Sequence, residues 1–282
     1  MTIKIGLLAG EPSGDNLAAG FMSALRQQLG SAGPVEFVGV GGPAMMAQGL
    51  RSLAPFDSLA VNGFKEPLLR LPQLWRLYRQ LAQTFKDEGI DVFIGIDFNV
   101  FNFLLERRLR KLGIATAHYV SPSVYAWRKG RTKKVAQCAD LLFCLYPFEP
   151  QFYAGLPLRA VFVGHPLAEA IEPDAGSAVA RLRCRQQLKI DSQELVIAVL
   201  PGSRSGEIKA NLGHQLEAFR RIREQFPDAA AVIVAANERI ATKVRTRFDP
   251  LPEGVRLQEG GLEVAISWAD LALATSGTVS LD

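Results

Sequence analysis

Ile3-Lys4-Ile5-Gly6-Leu7-Leu8-Ala9-Gly10-Glu11-Pro12-Ser13-Gly14-Asp15 stands near the start of the chain, and its reading decides the fold. Residues 3–8 are a short apolar run rich in β-branched and leucine residues. They pass directly into a Gly/Pro/Ser turn and then into a helix-like stretch over 17–29. A strand that runs through a glycine turn into a helix is the first half of a βαβ unit. The same alternation continues, with apolar runs at 36–40 (closed by Gly41-Gly42-Pro43), 92–96, 115–120, 141–145 and 160–163. These runs are short and lack polar/apolar alternation, the pattern of a parallel sheet covered on both faces. Gly164-His165-Pro166 ends this series, and Glu172-Pro173-Asp174-Ala175-Gly176-Ser177 is a polar, turn-rich boundary. A second series follows at 196–200, 230–235, 255–257 and 271–274, with a helical stretch at 211–225. The expectation is an α/β protein of two doubly wound domains, 1–168 and 169–282, facing one another across a cleft.

Composition agrees. The chain has 282 residues, 48% hydrophobic and 21% charged, which excludes disorder, collagen and coiled coil. At about 100–200 residues per domain, two domains fit the length. A net charge of +4 suits anionic ligands or an anionic membrane surface, and no nucleic-acid module accompanies it. Cys138, Cys144 and Cys184 make an odd set without a C-x-x-C, so neither a disulfide framework nor a zinc site is expected. The three histidines are far apart, so no histidine metal cluster is expected. The N-terminus turns polar too soon for a signal peptide, and no run approaches the ~18–20 apolar residues of a membrane span. A cytoplasmic location is the expectation. The sequence stops just after the run at 271–274, where Val279-Ser280-Leu281-Asp282 should open a helix. That predicts a fragment of a longer protein, with the second domain incomplete.

Three strand–turn–helix junctions could hold an anion: Gly10-Glu11-Pro12-Ser13-Gly14-Asp15, Leu200-Pro201-Gly202-Ser203-Arg204, and Thr275-Ser276-Gly277-Thr278. Glycine lets backbone N–H groups approach a phosphate, the helix start adds partial positive charge, and Ser/Thr hydroxyls add donors. Gly and Ser also simply make βα turns. Neither G-x-x-x-x-G-K-[ST] nor G-x-G-x-x-G is present, which removes the main support for a P-loop or a plain dinucleotide fold. Arg204 strengthens the second junction, because a guanidinium forks onto phosphate oxygens.

The candidate acid–base groups are carboxylates at strand ends. Asp97, between Ile96 and Phe98, is hard to explain as a solvated charge, and points to function. Glu11 and Asp15 lie in the first junction, where Asp15 could equally cap a helix, and Glu66 could be a solvated loop charge. His118 reads as a core histidine. After it, Tyr119-Val120-Ser121-Pro122-Ser123-Val124-Tyr125-Ala126-Trp127-Arg128 has the aromatic, serine and arginine density of a sugar or acyl contact. Pro67-Leu68-Leu69-Arg70-Leu71-Pro72-Gln73-Leu74-Trp75-Arg76-Leu77-Tyr78-Arg79-Gln80-Leu81 interleaves Arg with Leu, Trp and Tyr. If helical after Pro72, it suits a membrane surface or acyl chain, or a buried helix with snorkelling arginines. Residues 128–134 are a basic run, either a solvated helix face or an attraction for anionic lipid or phosphate.

Taken in order and spacing, these motifs resemble the lipid-A-disaccharide synthases. The residues that carry the resemblance are those of the first junction, Gly41-Gly42-Pro43-Ala44-Met45, Gly95-Ile96-Asp97, the stretch 118–128, Pro147-Phe148-Glu149, Val163-Gly164-His165-Pro166, Leu200-Pro201-Gly202-Ser203-Arg204 and Ser276-Gly277-Thr278. The resemblance covers nearly the whole chain. It implies a GT-B type, metal-independent, inverting hexosyltransferase with two Rossmann-like domains and no cofactor. The implied reaction joins UDP-2,3-diacylglucosamine to 2,3-diacylglucosamine 1-phosphate, giving a β-1,6 disaccharide and UDP. The implied place is the cytoplasmic face of the Gram-negative inner membrane, peripheral on its anionic surface, with a homodimer for the full-length form.

The resemblance assigns Asp97 and Glu11 to catalysis. It places Ser13 and Asp15 at the acceptor in the first domain, and the residue pattern read above adds Glu66, Ser121, Ser123, Tyr125, Trp127 and Arg128 to that site. Gly202, Ser203, Arg204, Asn237, Ser276, Gly277, Thr278 and Asp282 fall to UDP in the second. Four departures stand out: Val100 where a second aspartate is usual, Asn62 where Met is usual, Tyr125 where Trp is frequent, and Asp282 where the family has Glu. Another UDP-sugar enzyme of the same architecture, such as a UDP-N-acetylglucosamine 2-epimerase, or a non-catalytic binding remnant, are the alternatives.

Overall fold

In the computed structural model the described residues are 2–30, 33–59, 66–124, 130–166, 168, 173–174, 177–187, 195–203, 205–261 and 267–275. The chain divides into two compact units, Met1–Ala168 and Glu169–Asp282.

The first unit is built on β1 (Ile3–Ala9), β2 (Val35–Val40), β3 (Leu50–Ser52), β4 (Val92–Ile96), β5 (Ala115–Tyr119), β6 (Leu141–Cys144) and β7 (Arg159–Phe162). They form one parallel sheet in the order β3-β2-β1-β4-β5-β6-β7. The helices are α1 (Pro12–Leu29), α2 (Pro43–Ala47), α3 (Glu66–Glu88), α4 (Asn99–Lys111) and α5 (Arg131–Ala136). Alternate side chains of β1 explain why the sheet needs cover on both faces. Ile5, Leu7 and Ala9 pack with Ala18 and Met22 of α1. Leu8 faces the other way, into a core with Leu81 and Phe85 of α3 and Phe101, Leu105 and Leu109 of α4.

The second unit holds β8 (Val196–Leu200), β9 (Ala230–Ala235), β10 (Val255–Glu259) and β11 (Leu271–Ala274), parallel in the order β10-β9-β8-β11. Its helices are α6 (Ala178–Gln187), α7 (Ser205–Gln225) and α8 (Glu238–Arg247). One sheet face packs on Ile208, Leu212, Leu216 and Phe219 of α7 and Ile240 and Val244 of α8. The opposite face, Val196, Ala198 and Leu200, packs on the fully buried Trp268. A charged clamp ties α6 beneath this sheet. Asp270 accepts from Arg181 at 3.0 Å, Arg185 at 2.5 Å and the Val196 amide at 2.9 Å. Burial raises the pKa of Asp270, and the Val196 amide and the two arginines outweigh it, leaving the carboxyl below its ordinary value.

Three helices start earlier than the periodicity predicts. α1 begins at Pro12, where a proline loses nothing because the first-turn N–H groups lack intrahelical partners. α7 begins at Ser205, and α3 at Glu66, so that α3 carries Pro72 inside it. Along α3, Leu74, Leu77 and Tyr78 pack inward with Leu81, while Trp75, Arg76 and Arg79 are exposed. Trp75 stacks on Tyr78 at 5.0 Å, and the arginines are on the outer surface rather than snorkelling from a buried helix. Among the described residues no helix is long and apolar enough to cross a membrane.

Candidate functional site

In an open parallel sheet, ligands bind outside the carboxyl ends of the strands, where the strand order reverses and successive loops leave to opposite faces. Each unit has one such point. In the first unit it lies between β1 and β4, whose ends pair as Ala9 with Ile96. In the second it lies between β8 and β11, paired as Leu200 with Ala274.

At the first reversal β1 ends in Gly10-Glu11 and β4 in Asp97-Phe98. Asp97 is half-buried, with φ 48°, and Phe98 follows with φ 44°. Neither is glycine, so this left-handed region strains the backbone by about 1–3 kcal/mol per residue, less for aspartate than for phenylalanine. The Phe98 ring covers Gly10 so closely that a Cβ there would come within 2.5 Å of it. The backbone of Asp97 is held from two sides: its N–H donates to the Tyr119 carbonyl at 2.8 Å, and its carbonyl accepts from Asn102 Nδ2 at 2.9 Å. Asn99 Nδ2 donates to the Asp97 carboxylate at 3.2 Å. β5 ends in the same style, with Val120 at φ 86°.

Glu11 is half-buried and extended at the N-cap of α1, beside the exposed Ser13. Asp15 does different work. It is 4% exposed, and its Oδ1 accepts from the amides of Gly42 at 2.8 Å and Met45 at 3.0 Å, while Oδ2 accepts from Ala44 at 3.0 Å. It caps α2 rather than its own helix, and its oxygens are occupied by backbone. Ser121 is likewise committed. Its buried hydroxyl is 2.9 Å from Tyr153 OH and hydrogen-bonds Glu149. Burial pushes the Glu149 carboxyl up, against the lowering effect of amides from Tyr146 and Leu145 and of Ser121. Burial likewise pushes the Tyr153 phenol to about 12. Both Asp15 and Ser121, expected at the acceptor, thus shape the edge from inside, while Ser123 is exposed.

His118 is a core residue, as expected, but its partner was not read from the sequence. Its Nδ1 is 2.6 Å from Glu106 Oε1, both side chains are 0% exposed, and Phe103 lies 4.3 Å from the ring. Burial raises the Glu106 pKa, partly opposed by His118. Glu106 fits because Gly95 leaves room: a Cβ there would meet Glu106 Oε1 at 2.3 Å. Val100, standing for the usual second aspartate, is 71% exposed on the first turn of α4.

At the second reversal Gly202 has φ 107°, and the Ser203 amide donates to Glu207 Oε2 at 3.0 Å. A Cβ at Gly202 would come within 2.4 Å of that carboxylate, so the turn requires glycine. The loop passes into α7, whose N-terminal amides and dipole suit an anion. The Thr275 amide donates to Leu200 O at 2.9 Å, which keeps the two strand ends side by side. Asn237 caps α8, its Oδ1 accepting from Ile240 N at 3.1 Å. Tyr125, Trp127, Arg128, Arg204, Ser276, Gly277, Thr278 and Asp282 lie outside the described residues, as does the side chain of Glu66. Among the described residues no group of three or more His, Cys, Asp or Glu could hold a metal ion.

Two doubly wound parallel units with open carboxyl edges make the fold of the GT-B class, shared by glycosyltransferases and nucleotide-sugar epimerases. S. aureus MnaA in its UDP co-structure superposes with a TM-score of 0.62 at 13% identity, covering 99% of this chain and 75% of that one. The Methanocaldococcus jannaschii UDP-GlcNAc 2-epimerase with UDP-GlcNAc and UDP gives 0.60 at 16% identity, covering 99% and 80%. At these identities the likeness is one of fold. Sequence separates the classes. The family model described as lipid-A-disaccharide synthetase matches residues 5–282. The lipid-A-disaccharide synthase of Pseudomonas paraeruginosa is 42% identical over 287 residues, covering 99% of this chain and 72% of that protein. That of Alkalilimnicola ehrlichii is 39% identical over 284 residues, with 99% and 72% covered. The chain belongs to the lipid-A-disaccharide synthase family.

Proposed function

We propose that the chain joins UDP-2,3-diacylglucosamine to 2,3-diacylglucosamine 1-phosphate, releasing UDP and forming the β-1,6 lipid A disaccharide. The sequence match over residues 5–282 carries this reading. Asp97 is the base. Its position at the strand-order reversal, on strained and doubly held backbone, supports that role. It takes the proton of the acceptor 6-hydroxyl; the oxygen attacks the donor's anomeric carbon, and the bond to UDP breaks with inversion. Glu11, on the neighbouring strand end, contacts the acceptor with Ser13 and Ser123. The aromatic residues Tyr125 and Trp127 and the cation Arg128 complete the acceptor side.

The second unit receives UDP. The turn at Gly202 and Ser203 and the start of α7 offer backbone N–H groups to the diphosphate, and Arg204, Ser276, Gly277 and Thr278 add to them. Asn237 and Asp282 belong to the same nucleotide site by motif. The exposed Trp75, Arg76 and Arg79 of α3 suit an anionic membrane surface, where an aromatic ring and cations are favoured together.

The experiment is to incubate the chain with the lipid 1-phosphate acceptor and either diacylated or non-acylated UDP-glucosamine. Product is followed by mass spectrometry. Disaccharide and UDP are expected with the diacylated donor alone. Epimerised donor, or UDP binding with no disaccharide, would overturn the reading.

A further inference from the structure

Asn102 on α4 is fully buried, yet it faces no expected ligand. Its Nδ2 lies 3.2 Å from Leu8 O, 3.3 Å from Ile96 O and 2.9 Å from Asp97 O. Gln215 on α7 repeats the arrangement in the other unit: its Nε2 donates to Leu200 O at 3.2 Å and Leu273 O at 2.9 Å. In both cases the acceptors belong to the two strands that flank the reversal. There successive loops leave to opposite faces, and a side-chain donor bridges the carbonyl ends of both strands; at Leu200 O it adds to the backbone bond from the Thr275 amide at 2.9 Å. In both cases the carboxamide oxygen is buried with no hydrogen-bond partner among the described residues, so the nitrogen's contacts are what the side chain contributes.

We propose that Asn102 and Gln215 are positioning residues, each bracing one strand-order reversal. Asn102 holds the Asp97 carbonyl, and with it the left-handed backbone that aims the Asp97 carboxylate. Gln215 holds the Leu200 carbonyl, two residues before Gly202, and with it the turn that receives the diphosphate. The inference rests on the roles given above to Asp97 and to the Gly202 turn. It adds a division of labour: one brace serves turnover and the other serves nucleotide affinity.

The test uses Asn102→Leu and Gln215→Leu in the full chain, with turnover, its pH profile, UDP calorimetry and thermal melting measured for each. Asn102→Leu is expected to lower kcat about 10–100-fold, as small misplacements of a reacting group do, and to move the acid limb of the pH–rate profile, while UDP affinity changes less than about twofold. Gln215→Leu is expected to weaken UDP binding about tenfold while kcat at saturating donor changes less than about threefold. Should either leucine variant fail to fold, Asn102→Ser and Gln215→Ser, which keep a donor, decide in its place with smaller shifts of the same readouts. Unchanged readouts, or equal losses of kcat and UDP affinity that track the melting temperature in both variants, overturn the proposal. Turnover that survives Asp97→Asn instead removes the base assignment beneath it. In that case the Asn102 arm is decided by amide exchange, where faster exchange at Asp97 than at Leu7 supports the brace and equal exchange overturns it.

Discussion

The two strand-order reversals share a brace and differ in almost everything else. In the first unit the turn is made by residues that resist it: Asp97, Phe98 and Val120 all have positive φ without being glycine. Buried carboxylates support it: Asp15 on the start of α2, Glu149 beneath Ser121, and Glu106 against His118. In the second unit glycine makes the turn without strain, and the groups on offer are backbone donors at a helix start. Strain held by many contacts fixes one side chain in one direction, which a base needs. A relaxed turn of amides conforms to an oxyanion, which a diphosphate needs. The contrast argues for chemistry at one edge and anion binding at the other.

The largest blow to this contrast would come from Asp97→Asn. It should lower turnover about 10²–10⁴-fold, the range of a lost general base, with UDP affinity intact by calorimetry. Equal loss of both would erase the division. Asp15→Ala should leave two buried amides and one half-buried amide without their acceptor and cost about 3 kcal/mol in urea unfolding, with the loss confined to the first unit. Gly202→Ala meets both a positive φ and the Glu207 carboxylate, so UDP binding should weaken about tenfold by calorimetry and the melting temperature should fall by roughly 4–8 °C. The smallest effect concerns pH. Burial raises the folded-state pKa of Glu149, so the folded state holds its proton more tightly than the unfolded one. The stability this contributes is full below the ordinary glutamate value and is lost as pH rises through the raised one. Glu149→Gln should therefore flatten the decline of melting temperature with rising pH. An unchanged slope would mean that Glu149 titrates alike in both states.

The strands were legible because they are short apolar runs closed by turn or polar residues: 92–96, 196–200, 230–235 and 271–274 match residue for residue, although 271–274 is largely exposed. β3 escaped notice because three residues with Arg51 and Ser52 exposed carry no apolar signal. α3 was expected only beyond Pro72, since a proline removes one helical hydrogen bond; the helix runs through it from Glu66. Asp97 could be singled out because a charge between Ile96 and Phe98 at a strand end is costly without a purpose. Asp15 and Ser121 looked like ligand contacts because their partners, the α2 amides and Tyr153 with Glu149, lie about thirty residues away in sequence. Asn102 and Gln215 gave no signal, since a carboxamide on a helix looks the same whether it meets water or a strand carbonyl. The spacing of Glu106 and His118 in sequence, 12 residues, likewise hid their contact.

That last pair sets a rule for how this protein can drift. With both side chains sealed from water, replacing His118 alone strands a carboxyl, and replacing Glu106 alone strands an imidazole. Neither single step is neutral, whereas a joint exchange for two apolar residues of matching volume can be. Sites 106 and 118 are therefore expected to change together across relatives, as a coupled substitution whose intermediates are selected against.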